Sequence, residues 1–295
     1  IGEKKIDKAS KIFCQSLELA FFVGILISIF GIYFGPSILE SINSDQETLK
    51  LSSDYMNIIY LGSIIILLLM VANSCLAALG DTKSYRNVLI FSFFLNIILN
   101  PILISGNLLG YELFKPLEIT GIAIATILSQ FIGLLYLLYK ISKTEIYSSF
   151  KKSYLIPKFV SISEISIQGI PASIGLMMIA LGSYILLYFV SYYGNDAIAG
   201  FASAGRYEQL LFLPLLGLST AVTSIVGQNL GANKADRILE TYTKAIRTGV
   251  IILSIVALFL FFTAELSMRL FTDDDEVIFY ESIYLKIWAF GFPAF

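Results

Sequence analysis

The sequence predicts an all-α polytopic membrane protein made of two pseudo-symmetric helical lobes, and three observations carry that prediction. Hydrophobic residues make up 57% of the 295 and charged residues only 14%, about half the charged share of a soluble domain. The apolar residues are gathered into eight runs of roughly 20 residues or more, the length a helix needs to cross the ~30 Å hydrocarbon layer. The chain also repeats itself at an offset of 229 residues. In a bilayer every backbone N–H and C=O must be satisfied within its own segment or around a closed barrel, and runs this long exclude barrel strands. The spans are therefore helices.

Taken in order, the predicted spans are approximately 12–35, 55–79, 87–106, 118–139, 165–192, 197–229, 248–264 and 277–295. The first follows a polar, lysine-rich opening, IGEKKIDKASK, which lacks the apolar core and cleavage site of a signal peptide. The chain does not start with Met and its last run stops in mid-span at Phe295, so it reads as an internal fragment. Residues 1–141 form a partial first lobe of four spans, 142–163 a cytoplasmic linker, and 164–295 a partial second lobe of four. Cys14 and Cys75 have neither metal-ligand nor disulfide spacing and read as small apolar filler.

Charge orients the chain, because basic residues are retained on the cytoplasmic side. One set of connections holds the basic residues between Lys4 and Lys11, those at 83–86, 140–158 and 234–237, and Lys244 and Arg247 just before the following span. The other holds only Lys50, Lys115 and Arg269, beside the acidic run Asp273, Asp274, Asp275 and Glu276. The opening segment, the GDTK turn at 80–83, the stretch 140–163 and GQNLGANKADR at 227–237 therefore face the cytoplasm. The net charge of −2 hides this split.

The repeat explains why GQNLGANKADR is partly echoed by IGEKKIDK at the start of the chain. At an offset of 229, Gly2 falls on Gly231, Lys5 on Lys234, Asp7 on Asp236 and Lys8 on Arg237. Without a gap, Phe30 then meets Phe259, Asp45 meets Asp274, Tyr55 meets Tyr284 and Gly62 meets Gly291. An offset of six helices, an even number, returns each copy in the same orientation, and parallel repeats of this kind mark transporters. Six helices per lobe predict twelve spans in the intact protein.

An ionisable side chain at mid-bilayer costs about 2.5–3.5 kcal/mol on insertion scales and should face protein or a water-filled cavity. The ionisable residues inside spans are Glu18, Arg206, Glu208, Glu281 and Lys286, and there is no His anywhere. Asn96 and Asn100 lie four apart on one helix face, and Pro101 cannot donate to the Ile97 carbonyl. Thr126 and Gln130 share a face of the next helix, so the two polar patches are placed to meet. Arg206 and Glu208, two apart, point to different faces and need separate partners. Glu18 and Arg247 occupy equivalent repeat positions; they either meet across the symmetry axis or snorkel to the cytoplasmic interface. Glu281 and Lys286 are given no role.

In order and spacing, GQNLGANKADR, LAALGDTKS at 76–84, LNIILNP at 95–101, GIAIATILSQ at 121–130, GIPASIG at 169–175 and GRYEQLLFLPLLGL at 205–218 resemble the multidrug and toxic compound extrusion family, MATE. The resemblance covers the whole chain and makes its spans helices three to ten of twelve. It implies a secondary antiporter of the cell membrane, exporting small amphipathic cations in exchange for Na⁺ or H⁺ by alternating access, with no cofactor, no nucleic-acid partner and a monomeric state. In one branch an Asn, an Asp four residues later and a Thr on the following helix bind the coupling ion. Asn96 and Thr126 match that pattern; Asn100 departs from it, standing where the carboxylate is expected. An amide coordinates Na⁺ but does not exchange a proton, which leaves Asn96, Asn100 and Thr126 able to hold Na⁺, counts against a simple protonation switch at Asn100 and shifts proton coupling to an acid on the family's first helix, so that Na⁺ and H⁺ both stay open. A second branch places an acid near Ile179, which this helix lacks. GRYEQL matches a family pattern, and Glu208, with Arg206 beside it, is the remaining intramembrane acid for substrate attraction or coupling.

The small polar residues of the loop motif, Gly227, Gln228, Asn229, Gly231, Asp236 and Arg237, read as a tight cytoplasmic turn in which glycines permit close approach and the charges start the next helix. Abundant Tyr and Phe would suit flat cations through cation–π attraction. The alternative within transport is a lipid-linked oligosaccharide flippase, which would line its cavity with several Arg or Lys, whereas only Arg206 and Lys286 lie within spans. An intramembrane enzyme would need a clustered acid pair, a nucleophile with its base or metal ligands, and the sequence presents no such constellation.

Overall fold

The computed structural model describes residues 1–41, 45–108, 111–112, 114–269 and 275–291. Each predicted span is one helix: α1 (Ile6–Glu40), α2 (Gln46–Ala78), α3 (Lys83–Ser105) and α4 (Glu118–Ile141), then a short α5 (Glu145–Ser148), then α6 (Phe159–Ser191), α7 (Asn195–Gly231), α8 (Ala235–Met268) and α9 (Asp275–Gly291). Several helices outrun their predicted span because hydropathy marks only the stretch in hydrocarbon, while helical hydrogen bonding continues into the polar interface. Among the described residues seven helices are long and apolar enough to cross a membrane. The predicted end of the eighth span, 292–295, and the acidic residues Asp273 and Asp274 lie outside the described residues. A two-residue antiparallel ladder, Asn107–Leu108 with Tyr111–Glu112, sits in the loop between α3 and α4.

Local chemistry sets several helix ends. Asp45 accepts the Thr48 N–H at 3.0 Å and so caps α2. In the GDTK turn Asp81 takes the Ser84 hydroxyl at 2.6 Å and its N–H at 3.0 Å. That donation, with the hydroxyl foremost, holds the Asp81 carboxyl below the usual carboxylate range. Gly106 closes α3 at φ 72°, a conformation that glycine adopts without β-carbon strain.

The repeat is present in the backbone. Lys4 and Asn233, equivalent at the offset of 229, both adopt the left-handed conformation, at φ 57° and 55°. Lys4 donates its N–H to the Ile1 carbonyl at 2.8 Å, and Asn233 donates to the equivalent Leu230 carbonyl at 3.1 Å. Two residues later the equivalent helices α1 and α8 begin, at Ile6 and Ala235; α2 and α9 begin at the equivalent Gln46 and Asp275.

Contacts divide the chain into two compact units, one from Glu3 to Met177 and one from Met178 onward. In the first, α1 packs on α2, α2 on α4 and α3 on α4. Small residues permit the close approaches, as they do where membrane helices meet without a hydrophobic drive between them. A β-carbon at Gly24 would lie 2.8 Å from the Ile64 Cα, and one at Gly62 would overlap the Ile127 side chain. Hydroxyls add a clasp: Ser28 donates to the Tyr60 carbonyl at 2.6 Å and Ser63 to the Gly24 carbonyl at 2.9 Å. Leu69, Leu76, Val88, Leu134, Leu137 and Ile141 fill the core between α2, α3 and α4. In the second unit α7, α8 and α9 close around Leu253, Leu260, Ala264, Met268, Ile278 and Leu285. Exposed Phe, Ile and Leu cover the outer faces, as lipid-facing surfaces require. Of the α6 side chains only Ser161 is buried.

A buried amide of α1 ties the linker to the first unit. Gln15 is fully buried. The two protons of its Nε2 are shared among the carbonyls of Tyr154 at 2.7 Å and Ile156 at 3.0 Å and Glu18 Oε2 at 2.9 Å, and its Oε1 accepts the Lys158 N–H at 2.6 Å. Lys151 reaches Asp7 at 2.8 Å, and the Asp7 carboxylate raises the Lys151 ammonium above its ordinary range. Both partners are exposed, so the pair adds little to stability.

Candidate functional site

Four-residue spacing puts Ser92, Asn96 and Asn100 on one face of α3. That face meets α4. Asn96 Nδ2 donates to the Ser92 carbonyl at 2.8 Å, one turn back on its own helix, and across the interface to Ser129 Oγ at 3.0 Å. Ser129 is 0% exposed and donates its own proton to the Ala125 carbonyl at 2.8 Å, which leaves its oxygen to accept from Asn96. One turn farther along α3, Asn100 Oδ1 is buried with no hydrogen-bond partner, and one turn back so is Ser92 Oγ. Leaving such oxygens dry costs about 1–3 kcal/mol each, so this interface carries oxygen atoms whose bonding capacity is unspent.

The polar patches of α3 and α4 therefore meet, through a different residue from the two expected. Thr126 spends its hydroxyl on the Ile122 carbonyl of its own helix at 3.0 Å. Gln130 is half-buried and makes no side-chain hydrogen bond among the described residues. At 100° per residue Ser129 falls to one side of Thr126 and Gln130, and that side faces α3. Sequence reasoning passed over Ser129 because a helical serine that back-bonds to its own chain looks neutral. Its spacing of three from Thr126 was the available signal.

In the second unit Arg206 is exposed on α7, whereas Glu208, two residues on, turns inward. The expected divergence of the two is observed, and neither forms an ion pair among the described residues. Tyr284 of α9 lies close to the Glu208 carboxyl, whose Oε1 is buried without a hydrogen-bond partner. Beside it the Tyr207 and Ser267 hydroxyls meet at 2.7 Å. Glu281 is 6% exposed with neither oxygen bonded, a burial that its place in an interrupted span did not reveal.

One reading from sequence needs correction. In the loop motif Gly227 lies within α7 with open space where a β-carbon would stand. Gly231 ends that helix, and the left-handed turn falls on Asn233. Gln228 accepts the Ala232 N–H through its carbonyl at 3.1 Å, and the Asn229 side chain bonds back to the Ile225 carbonyl at 2.8 Å. Asp236 stands in the first turn of α8, where its charge suits the helix dipole, with Arg237 beside it. Glu18 accepts from Gln15 through one oxygen, and its other oxygen is buried without a partner. Arg247 is exposed.

Comparison with known proteins places this arrangement. The MatE family model matches residues 1–102 and 171–295. A Bacillus subtilis protein, probable multidrug resistance protein YoeA, is 24% identical over 98% of this chain and 63% of its own length. The FAD transporter of Shewanella oneidensis is 26% identical over 97% of this chain and 63% of its own. The chain thus spans under two thirds of the curated relatives it matches. An outward-facing multidrug resistance MATE family transporter of the MOP superfamily superposes with a TM-score of 0.77 at 25% identity, covering 99% of this chain and 65% of that one.

Proposed function

From the premise that this chain belongs to the MatE family, we propose that it forms most of a secondary active exporter in which Na⁺ entry through the first lobe drives efflux of amphipathic organic cations. The observation that carries the ionic part is the α3–α4 interface, where Asn96, Asn100 and Thr126, with Ser92 and Ser129, present neutral oxygens inside the membrane. Neutral oxygen donors are the ligands a hard monovalent cation takes, and none of these five side chains carries an exchangeable carboxyl proton. The driving force is adequate: one charge moving through 100 mV yields about 2.3 kcal/mol, which supports a solute gradient of roughly fiftyfold. Glu208, turned inward in the second lobe, is the acid assigned here to attract a cationic solute. The aromatic relatives of that acid, Tyr207, Tyr284 and Trp288, pack against the same apolar cluster and give flat cations a π surface.

The deciding experiment is efflux of a fluorescent organic cation from proteoliposomes containing the full-length protein, with Na⁺ and pH gradients imposed separately. Efflux under the Na⁺ gradient alone is expected. Efflux under the pH gradient alone rejects the Na⁺ assignment, and no efflux under either, in folded protein, turns the reading toward a lipid-linked flippase.

A further inference from the structure

We propose that Ser129 is a positioning residue of this ion site, fixing which end of the Asn96 amide faces the ion. The inference rests on the reading of Asn96 as a cation ligand and adds a residue that reading does not need. Two acceptors hold the Asn96 nitrogen. The Ser92 carbonyl can only accept, and the Ser129 hydroxyl has committed its proton to the Ala125 carbonyl, so its oxygen can only accept from Asn96 as well. Both partners therefore demand N–H, and the amide cannot reverse without setting its oxygen against two oxygens. The Asn96 oxygen is left as the free end of the group.

Binding a cation through an amide that is already turned costs less than binding through one that must be reoriented and held. A neutral site has only dipoles to offer the ion, so the direction of each dipole matters more than where a carboxylate supplies charge. Ser129 is fully buried and lies across the interface from Asn96; it also couples the amide to α4, so that separation of α3 from α4 releases the Asn96 nitrogen. Asn100 Oδ1, buried without a partner one turn farther along the same face, is the oxygen placed to join the Asn96 oxygen in the shell.

The test uses the full-length protein in proteoliposomes and measures both the Na⁺ concentration for half-maximal transport and the maximal rate, for the parent, S129A, S129C and N96A. Na⁺-dependent thermal stabilisation in detergent reports binding apart from transport. Loss of one hydrogen bond predicts a rise in half-saturating Na⁺ of roughly five- to tenfold in S129A, with a maximal rate near that of the parent and a matching loss of Na⁺-dependent stabilisation. S129C, of similar size and a weaker acceptor, falls between them and carries the comparison if S129A does not fold. If N96A abolishes Na⁺ dependence while S129A and S129C leave half-saturation unchanged, or lower only the maximal rate, Ser129 is structural and the proposal fails while the ion site stands. If N96A itself leaves Na⁺ dependence intact, the ion-site reading fails first.

Discussion

The side-chain oxygen of Gln15 accepts the backbone N–H of Lys158 at 2.6 Å, while its nitrogen reaches the carbonyls of Tyr154 and Ile156. One buried amide thus satisfies three backbone groups of the linker that leads from α4 to α6. Tyr154 sits in a single 3₁₀ turn, Lys152–Leu155, and Ile156 and Lys158 in the irregular stretch that follows, so without Gln15 these groups turn to water.

Replacing Gln15 with Ala should therefore free the linker without unfolding the helices. The loss of several buried hydrogen bonds predicts a cost of about 2–3 kcal/mol. Trypsin cleavage at Lys151, Lys152 and Lys158 of the full-length protein, followed over time, should accelerate at least tenfold in Q15A. An unchanged cleavage rate would mean that the linker is held by other contacts.

Gly62 makes a second prediction about packing. Any side chain there meets Ile127, so G62V should force α2 and α4 apart at a cost of roughly 1–3 kcal/mol. The partner is a flexible side chain, so I127A should recover much of the loss in the double variant. At Gly24 the obstacle is the Ile64 backbone, and no side-chain truncation opposite is expected to rescue G24V. Thermal unfolding in detergent of the single and double variants distinguishes the two sites.

The Asp81 turn should be sensitive to acid. Its carboxyl is depressed in the folded protein by donation from Ser84, so its contribution is present above the ordinary carboxylate pKa of about 3.9 and is lost as pH falls through the lower folded value. Loss of such a cap costs about 1 kcal/mol. D81A should remove this stabilisation at neutral pH, and the difference between D81A and the parent should shrink as pH is lowered below about 4. A constant difference in melting temperature across that range would rule out the carboxylate as its source.

Asn100 offers the most direct change of function. N100D places an exchangeable proton where the neutral amide stands, so transport should acquire a dependence on pH absent from the parent, measured at fixed Na⁺ gradient in proteoliposomes. A profile that does not change removes Asn100 from the ion path.

The fold was legible to a large extent because bilayer thickness leaves a helix few options: all eight apolar runs became helices, and the repeat read from Gly2, Lys5, Asp7 and their partners reappears as matching φ angles at Lys4 and Asn233. What hydropathy does not encode is rotation about each helix axis. That is why Asn96 was found and Ser129 was not. Glu281 was unreadable for a related reason, since its burial depends on which face α9 presents to α7 and α8.

The Gln15 clasp has no counterpart in the other copy of the repeat. Its equivalent, Lys244, is exposed and paired with Glu240 one turn back at 2.6 Å. The two copies share the same left-handed turn yet differ at this position, and the copy that leads into the linker carries the residue that holds it. The halves are consequently not interchangeable in order. A circular permutant that places the second lobe first would keep every helix-forming sequence, yet its new connecting segment would emerge beside a lysine that has no means of fastening it.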